Sequence, residues 1–301
     1  MIAVLTVTRN DGFKLKEWYE HYLEYKDDVY LHIIIDNDSD PVYLEEYKKL
    51  FTESVIIELG YNGGSTAAYN AGIKYALNDS KVDAISLIGN DIKMPKGTLT
   101  ELYKLLKSDQ SYGMVAPVLL NKDNAQIVDC YGEILNRNNM NLVVLNSRAN
   151  VATLPDILVS DTLPGGCNLS SREFYEKVGL QDENFFMYAD EVDMGIRGER
   201  LGFKFVSTTK AKAWHMHINE PGAVKRHPMS AYLMGRNHIY LARKLFGKKE
   251  VRATILFRLR YAAIFFISCI KHNKKKEDYN YAWAFTKGVF AGIRGDMTNK
   301  F

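Results

Sequence analysis

The strongest constraint on the fold is the regular alternation, through the amino-terminal third of the chain, of short apolar runs with helical periods. Residues 2–8, 30–35, 54–59 and 82–88 read as strands. Residues 13–25, 41–51 and a stretch from the glycine turn to about residue 77 read as helices, and Pro95 opens another. Pro41 suits a first helical turn, with Ser39 or Asp40 as its cap. Strands this apolar, separated by helices, are buried on both faces. The expected fold is therefore α/β: a mostly parallel, Rossmann-like sheet with helices on both faces.

In open sheets of this kind ligands bind beyond the carboxyl ends of the strands. Polar clusters fall at all of these ends: Thr8-Arg9-Asn10, Asp36-Asn37-Asp38, Asn62-Gly63-Gly64 and Asn90-Asp91. Their convergence marks one binding edge. Asp36 either accepts a hydrogen bond from the imide N–H of uracil or thymine, which adenine lacks, or closes an Asx-turn or helix cap. Asn62-Gly63-Gly64 and Asn70-Ala71-Gly72 span a strand–helix junction. Glycines there let the backbone approach a ligand, and a helix amino terminus favours an anion such as a diphosphate; a tight turn and a closely packed helix are the plainer reading. The pattern is neither GxGxxG nor a P-loop, which sets aside a dinucleotide-dependent oxidoreductase. Asp91, with Asn90, offers oxygen ligands to Mg²⁺ or Mn²⁺, or simply turns the chain at a strand end.

Beyond this region residues 112–162 read as irregular strands and hairpins, 171–178 and 191–201 as short helices, 203–207 and 212–218 as strands, and 228–246 as a longer helix. Asp190-Glu191-Val192-Asp193 opens a helix behind the aromatic run Phe185-Phe186-Met187-Tyr188. Acids there complement the helix dipole; apolar neighbours can also raise a carboxyl's pKa and make it a general base. His215 and His217 sit one residue apart in a strand-like segment and so point to opposite faces. Only one of them, His215, is then a candidate metal ligand.

The net charge of +3 hides an asymmetry, because residues 241–301 hold 14 Lys/Arg against 4 Asp/Glu. Residues 250–276 read as an amphipathic helix with a basic end, and 281–293 as another. The apolar and basic residues of 252–271, followed by Lys274-Lys275-Lys276, suit an interfacial helix facing anionic lipid; a core-packing helix with a solvated basic end is the alternative. No DNA- or RNA-binding motif accompanies the charge, so nucleic acid is not an expected partner. No apolar stretch reaches the ~18–20 residues that span a bilayer, so no crossing is expected. The start, MIAVLTVTRN, lacks a basic n-region and reads as a strand rather than a signal peptide. Cys130, Cys167 and Cys269 lie far apart, which excludes a disulfide scaffold and fits a reducing compartment.

Taken in order, these motifs resemble the family 2 glycosyltransferases with a GT-A fold, especially the bacterial rhamnosyltransferase and galactofuranosyltransferase-like branch. The matching elements are Asp36-Asn37-Asp38-Ser39, the Asn62-Gly63-Gly64 and Asn70-Ala71-Gly72 pair, residues 179–197 with their Phe-Phe-Met-Tyr-Ala-Asp-Glu-Val-Asp core, Trp214-His215 and Arg236-Asn237, across roughly residues 2–243. The resemblance implies a nucleotide-diphosphate-sugar donor at the strand ends, with Asp36 and Asn37 beside Thr8 and Arg9 at the pyrimidine. Asn62, Gly63 and Asn70 follow on the donor side, and Asn90 and Asp91 face the metal–diphosphate. Gly165 and Gly166 would line the donor-sugar and acceptor side, and Asp91 and His215 would hold Mg²⁺ or Mn²⁺. The family's Glu-Asp order is inverted here, so Glu191 matches the catalytic acid, with Asp190 and Asp193 as the other candidates.

The reading is then an inverting transferase of residues 1–240 with a basic amphipathic helical extension over 241–301. It would move a sugar, rhamnose first and a UDP-hexose or galactofuranose next, to a lipid-linked or oligosaccharide acceptor of bacterial surface polysaccharide. Its place would be peripheral, on the cytoplasmic face of the plasma membrane. A catalytically inactive sugar-nucleotide-binding subunit is the alternative, favoured by Asn90-Asp91 standing where the family carries more acids.

Overall fold

The computed structural model describes residues 1–217 and 227–299. The strands are β1 (Ile2–Thr8), β2 (Leu31–Asp36), β3 (Val55–Glu58), β4 (Ala84–Ile88), β5 (Ile92–Lys93), β6 (Tyr112–Leu120), β7 (Val128–Cys130), β8 (Glu133–Asn136), β9 (Asn141–Val144), β10 (Ile157–Ser160), β11 (Cys167–Ser171) and β12 (Lys204–His215). The helices are α1 (Leu15–Tyr25), α2 (Pro41–Leu50), α3 (Gly64–Leu77), α4 (Thr98–Ser108), α5 (Arg172–Val178), α6 (Asp190–Arg200), α7 (Pro228–Leu245), α8 (Lys248–Lys271) and α9 (Lys276–Arg294). The main sheet runs β10-β12-β6-β11-β4-β1-β2-β3, with β5 on β12 and β7 on β6. Its β4-β1-β2-β3 half is wholly parallel. β11 enters antiparallel to both β4 and β6, so the sheet as a whole is mixed.

Strand alternation sorts the core into two layers. Val4, Ile34 and Ile88 pack under α1, α2 and α4 against Trp18, Tyr47 and Leu102. Leu5, Ile33, Ile35 and Leu87 pack on the other face against Ile73 of α3, Phe174 of α5 and Met194 of α6. A sheet buried on both faces leaves its strand ends as the exposed polar edge, and that is where the site lies.

Four expectations change. Residues 112–120, within the region read as irregular strands and hairpins, form one nine-residue interior strand, buried at eight positions; its partners β11 and β12 come from much later in the chain. The segments 203–207 and 212–218 are one strand, β12, whose pairing with β6 shifts register between Thr208 and Lys212; Ile218 lies outside the described residues. Pro95 stands ahead of the helix, and Gly97 is the residue that caps α4. The carboxy-terminal helix begins at Lys248 and runs 24 residues, and by length and composition it could cross a membrane, contrary to the count of apolar runs. Arg258 and Arg260 interrupt the apolar run in sequence without interrupting the helix.

α7 continues through residue 240 and packs on both α8 and α9. Glycines permit the closest of these approaches. A Cβ at Gly288 would collide with the Tyr232 carbonyl, and one at Gly235 with the Phe285 carbonyl. Gly288→Ala is therefore expected to force α7 and α9 apart and destabilise the chain by about 1–3 kcal/mol, read as a lowered thermal midpoint; an unchanged midpoint would show that this contact is not tight.

Candidate active site

β1 and β2 end side by side, with Thr8 in register with Asp36. Asp36 is buried; its Oδ2 accepts the Ser39 N–H at 3.1 Å, and its Oδ1 has no partner. The carboxylate thus closes an Asx-type turn and still keeps a spare acceptor. Asn37 accepts the Gly63 N–H at 2.9 Å and donates to Asn62 Oδ1 at 3.1 Å, which joins the second strand end to the glycine turn. Asn70 belongs elsewhere. It is buried, and its amide is committed to the Gln181 backbone and to Glu183 Oε1, at 2.9–3.0 Å, so it ties α3 to the loop before α6.

The Thr8 hydroxyl donates to Asp11 Oδ2 at 3.1 Å, and the same oxygen accepts from the Arg9 N–H at 3.2 Å and the Asn90 amide at 2.6 Å. The Arg9 side chain itself is exposed. Lys14 pairs with Asp11 Oδ1 at 3.0 Å with little of its side chain exposed. Asp11 and Lys14 carry no motif signal, because their role appears only when the loop after β4 reaches the end of β1.

Asp91 and His215 meet as the resemblance implied, Oδ2 to Nε2 at 3.0 Å, through the pairing of β5 with the end of β12. Burial alone would raise the Asp91 carboxyl, but the hydrogen bond and charge of His215, with Lys14 and His217 behind it, hold it below its ordinary value. His217 does not point away. β12 ends at His215, residue 217 has φ +49°, and the two rings lie 3.9 Å apart between centroids. Strand geometry had ceased to apply. Among the described residues no third His, Cys, Asp or Glu completes a metal-holding group.

Gly166 accepts the Gly89 N–H at 2.8 Å, which seats the Gly165-Gly166 turn beside the Asn90-Asp91 loop. A Cβ on Gly165 would lie 3.9 Å from Glu191 Oε2. The glycine turn thus bridges the Asp91 side and the acids of α6. Asp190 is buried at the start of α6 and is raised well above the usual carboxyl value by burial and then by the charge of Glu191; Glu191, partly exposed, is raised by burial. Asp193 does not join them. It is fully buried and ion-paired with Arg197 and Lys244, each at 2.8 Å, which makes it a brace for α6.

The acids are delivered by a strained loop. Phe186, Tyr188 and Ala189 all have φ between +65° and +68°, a conformation costing about 1–3 kcal/mol at each non-glycine residue. α7 holds it in place. The Asn237 amide nitrogen lies 2.8–2.9 Å from the carbonyls of Phe185, Met187 and Tyr188, and Arg236 donates to those of Asn184 and Phe185 at 3.2 Å. On the far side the Phe186 carbonyl accepts from Thr66 at the start of α3, where Gly64 (φ +73°) leaves it room.

Residues 3–140 match Glycosyl transferase family 2. The match, with the relative that follows, makes this chain a transferase enzyme. A curated relative, the low-salt glycan biosynthesis hexosyltransferase Agl10 of Haloferax volcanii, is 23% identical over 223 residues, 72% of this chain and 68% of that one. Among solved structures, GalNAc-T7 with UDP, GalNAc and Mn²⁺ superposes at TM-score 0.60 and 15% identity, over 81% of this chain but about half (48%) of the other chain. The mannosyltransferase PcManGT of Pyrobaculum calidifontis, in complex with GDP-Man and Mn²⁺, gives 0.57 at 12% identity over 97% and 86% of the two chains. S. aureus TarS 1-349 gives 0.54 at 12% identity over 99% and 88%. At such identities these structures establish the GT-A fold.

One further acid of the enzyme lay outside the sequence reading. Glu133 on β8 is buried with its Oε2 unpartnered, and burial, then the charge of Glu191, pushes its carboxyl up to about 8 from 4.5. It shares the inward face with Leu135 while Ile134 is exposed, so the hydrophobic pattern hides it. A carboxyl raised on folding stabilises the protein below its unfolded value and loses that contribution as pH rises toward its folded one. Glu133→Gln should therefore flatten the fall of thermal midpoint between pH 5 and 8 and leave the variant about 2–4 °C above wild type at pH 8; parallel curves would contradict this.

Proposed function

We propose that this enzyme transfers a hexose from a nucleotide-diphosphate sugar to an acceptor hydroxyl with inversion at the anomeric carbon. The observation that carries the reading is the Gly165-Gly166 turn seated between the Asn90-Asp91 loop and Glu191. Glu191 takes the proton of the acceptor hydroxyl, the oxygen attacks the anomeric carbon from the face opposite the diphosphate, and the carbon–oxygen bond to the diphosphate breaks. Burial and the neighbouring Glu191 charge push Asp190 toward its protonated form, so Glu191 is the acid of the pair assigned the charge. Lys14 stands on the side where the diphosphate departs.

Asp91 and His215 form a two-ligand set that fits a hard divalent cation drawing its remaining ligands from phosphate oxygens and water. Such a cation supplies positive charge for the leaving group, and the Mn²⁺ named with GalNAc-T7 and PcManGT supports its use here. The spare Oδ1 of Asp36 selects a base with an imide-type N–H, as in uracil, thymine or guanine. dTDP-rhamnose is the first donor to test, on the family resemblance, with UDP-hexoses, galactofuranose and, given the GDP-Man of PcManGT, GDP-mannose after it. Glu191→Gln should lower kcat by about 10²–10⁴-fold while donor binding persists, and the acidic limb of the wild-type pH profile should lie above the usual 4.5 of a glutamate. Near-normal turnover in the variant would remove Glu191 from the role of base.

The same reading places the enzyme on the cytoplasmic face of an anionic membrane, acting on a lipid-linked or oligosaccharide acceptor of surface polysaccharide. Leu256, Ile264, Ile267 and Ile270 of α8 are 61–70% exposed, and Lys271, Lys274 and Lys275 follow them. Only Thr254, Arg258, Ala262 and Cys269 of the helix are buried. That buried face turns toward the body, with Arg258 at the Met140 carbonyl (2.9 Å), which favours lying in the interface over crossing it. The full-length protein should pellet with anionic liposomes at low salt, and the double change Ile264→Asp with Ile267→Asp should leave it in the supernatant; no pelleting of wild type would refute the membrane face.

A further inference from the structure

α8 also turns a charged side chain inward. Arg258 is 5% exposed and lines a cavity of about 220 Å³ together with Asn141, Tyr188, Glu191, Met234 and His238. Its Nη2 donates to the Met140 carbonyl at 2.9 Å, and its Nε is buried without a partner. Among the described residues no carboxylate comes within the 4.0 Å of an ion pair with it. His238 cannot answer the charge: burial and the guanidinium push it down to about 3, and its Nδ1 is occupied by the Met234 carbonyl at 2.9 Å. Burial lowers Arg258 to about 10, which leaves it a cation. The Phe257 ring lies 5.5 Å from the guanidinium, so its partners are a carbonyl and an aromatic face; a buried cation with no anion beside it is costly to the fold unless something else brings the counter-charge.

The cavity opens on Glu191, so its occupant is the acceptor rather than the donor. The geometry points to an acceptor subsite in which Arg258 pairs with an anionic group, a phosphate or a carboxylate, carried close to the hydroxyl that Glu191 deprotonates. This inference rests on the assignment of Glu191 as the base. At about 220 Å³ the cavity is smaller than the ~300–1,000 Å³ of whole-ligand pockets, so it takes the reacting end of the acceptor and leaves the rest outside. A guanidinium suits either group, because its fork matches phosphate and carboxylate alike.

The test uses binding to the full-length protein and needs no turnover, so it can fail independently of the transfer reaction. Methyl glucoside, methyl glucuronide and methyl glucoside 6-phosphate are titrated by ligand-observed NMR into wild type, Arg258→Met, Arg258→Lys and Lys14→Met. One anionic probe should bind wild type about ten- to a hundredfold more tightly than the neutral one. That preference should collapse in Arg258→Met, survive in part in Arg258→Lys and persist in Lys14→Met. Preference for the glucuronide names an acidic sugar as the source of the charge, and preference for the phosphate names a phosphate-bearing acceptor. Equal binding of all three probes overturns the proposal, as does a preference that vanishes with Lys14 and survives without Arg258. Arg258→Met should also melt at or above the wild-type temperature, since it removes a buried unpaired charge; a fall of many degrees would assign Arg258 a purely structural role.

Discussion

The site depends on one strained connection. Phe186, Tyr188 and Ala189 hold left-handed backbone that no side chain of theirs favours, and only the surrounding structure can keep them there. Asn237 and Arg236 grip that loop's carbonyls from α7, and the start of α3 grips the Phe186 carbonyl from the other side. The helix that begins at Asp190 is thereby aimed so that Glu191 faces the Gly165-Gly166 turn. Loss of the clamp would relax the loop and move the acid without touching any ligand. The buried Arg236-Asn237 pair is best understood as a positioning device for chemistry one helix away.

Around that edge the electrostatics divide into two zones. On the donor side Asp11, Lys14, Asn90, Asp91 and His215 form linked pairs in which each acid has a donor or cation. On the proposed reading this pairing suits an anionic diphosphate beside Lys14. On the acceptor side Glu133, Asp190 and Glu191 crowd together under burial, and all three are pushed toward the protonated form. A carboxylate whose pKa is raised is a stronger base than an ordinary acid, the property that the proposed activation of a hydroxyl calls on. Asp193, two residues on from Glu191, is instead ion-paired with Arg197 and Lys244.

α8 connects the two ends of the problem. Its outward face is apolar with a basic end, and its inward face delivers Arg258 to the cavity beside Glu191. On the proposed reading a single helix would sit on a lipid surface and help form the acceptor site, with both roles set by the 3.6-residue period of one sequence.

The sequence by itself determined the α/β class, the parallel strands β1 to β4 and the polar character of their ends, because apolar period and strand-end composition are local properties. It also singled out Asp36, Asp91, Glu191 and His215, whose neighbours in the chain carry recognisable patterns. What the chain order could not reveal were contacts between segments far apart in it. Asp11 and Lys14 acquire a role only when the loop after β4 arrives; Asn70 and Asp193 lose theirs because distant groups consume their polar atoms. The length and interior place of β6 were not legible within a region read as irregular strands and hairpins, because its partners β11 and β12 lie far along the chain. The full length of α8 was not legible because two arginines broke its apolar run without breaking its hydrogen bonds. Which acid faces the glycine turn, and which arginine is left without a counter-charge, were decided by tertiary structure alone, since both depend on how much water and which partners packing leaves to each group.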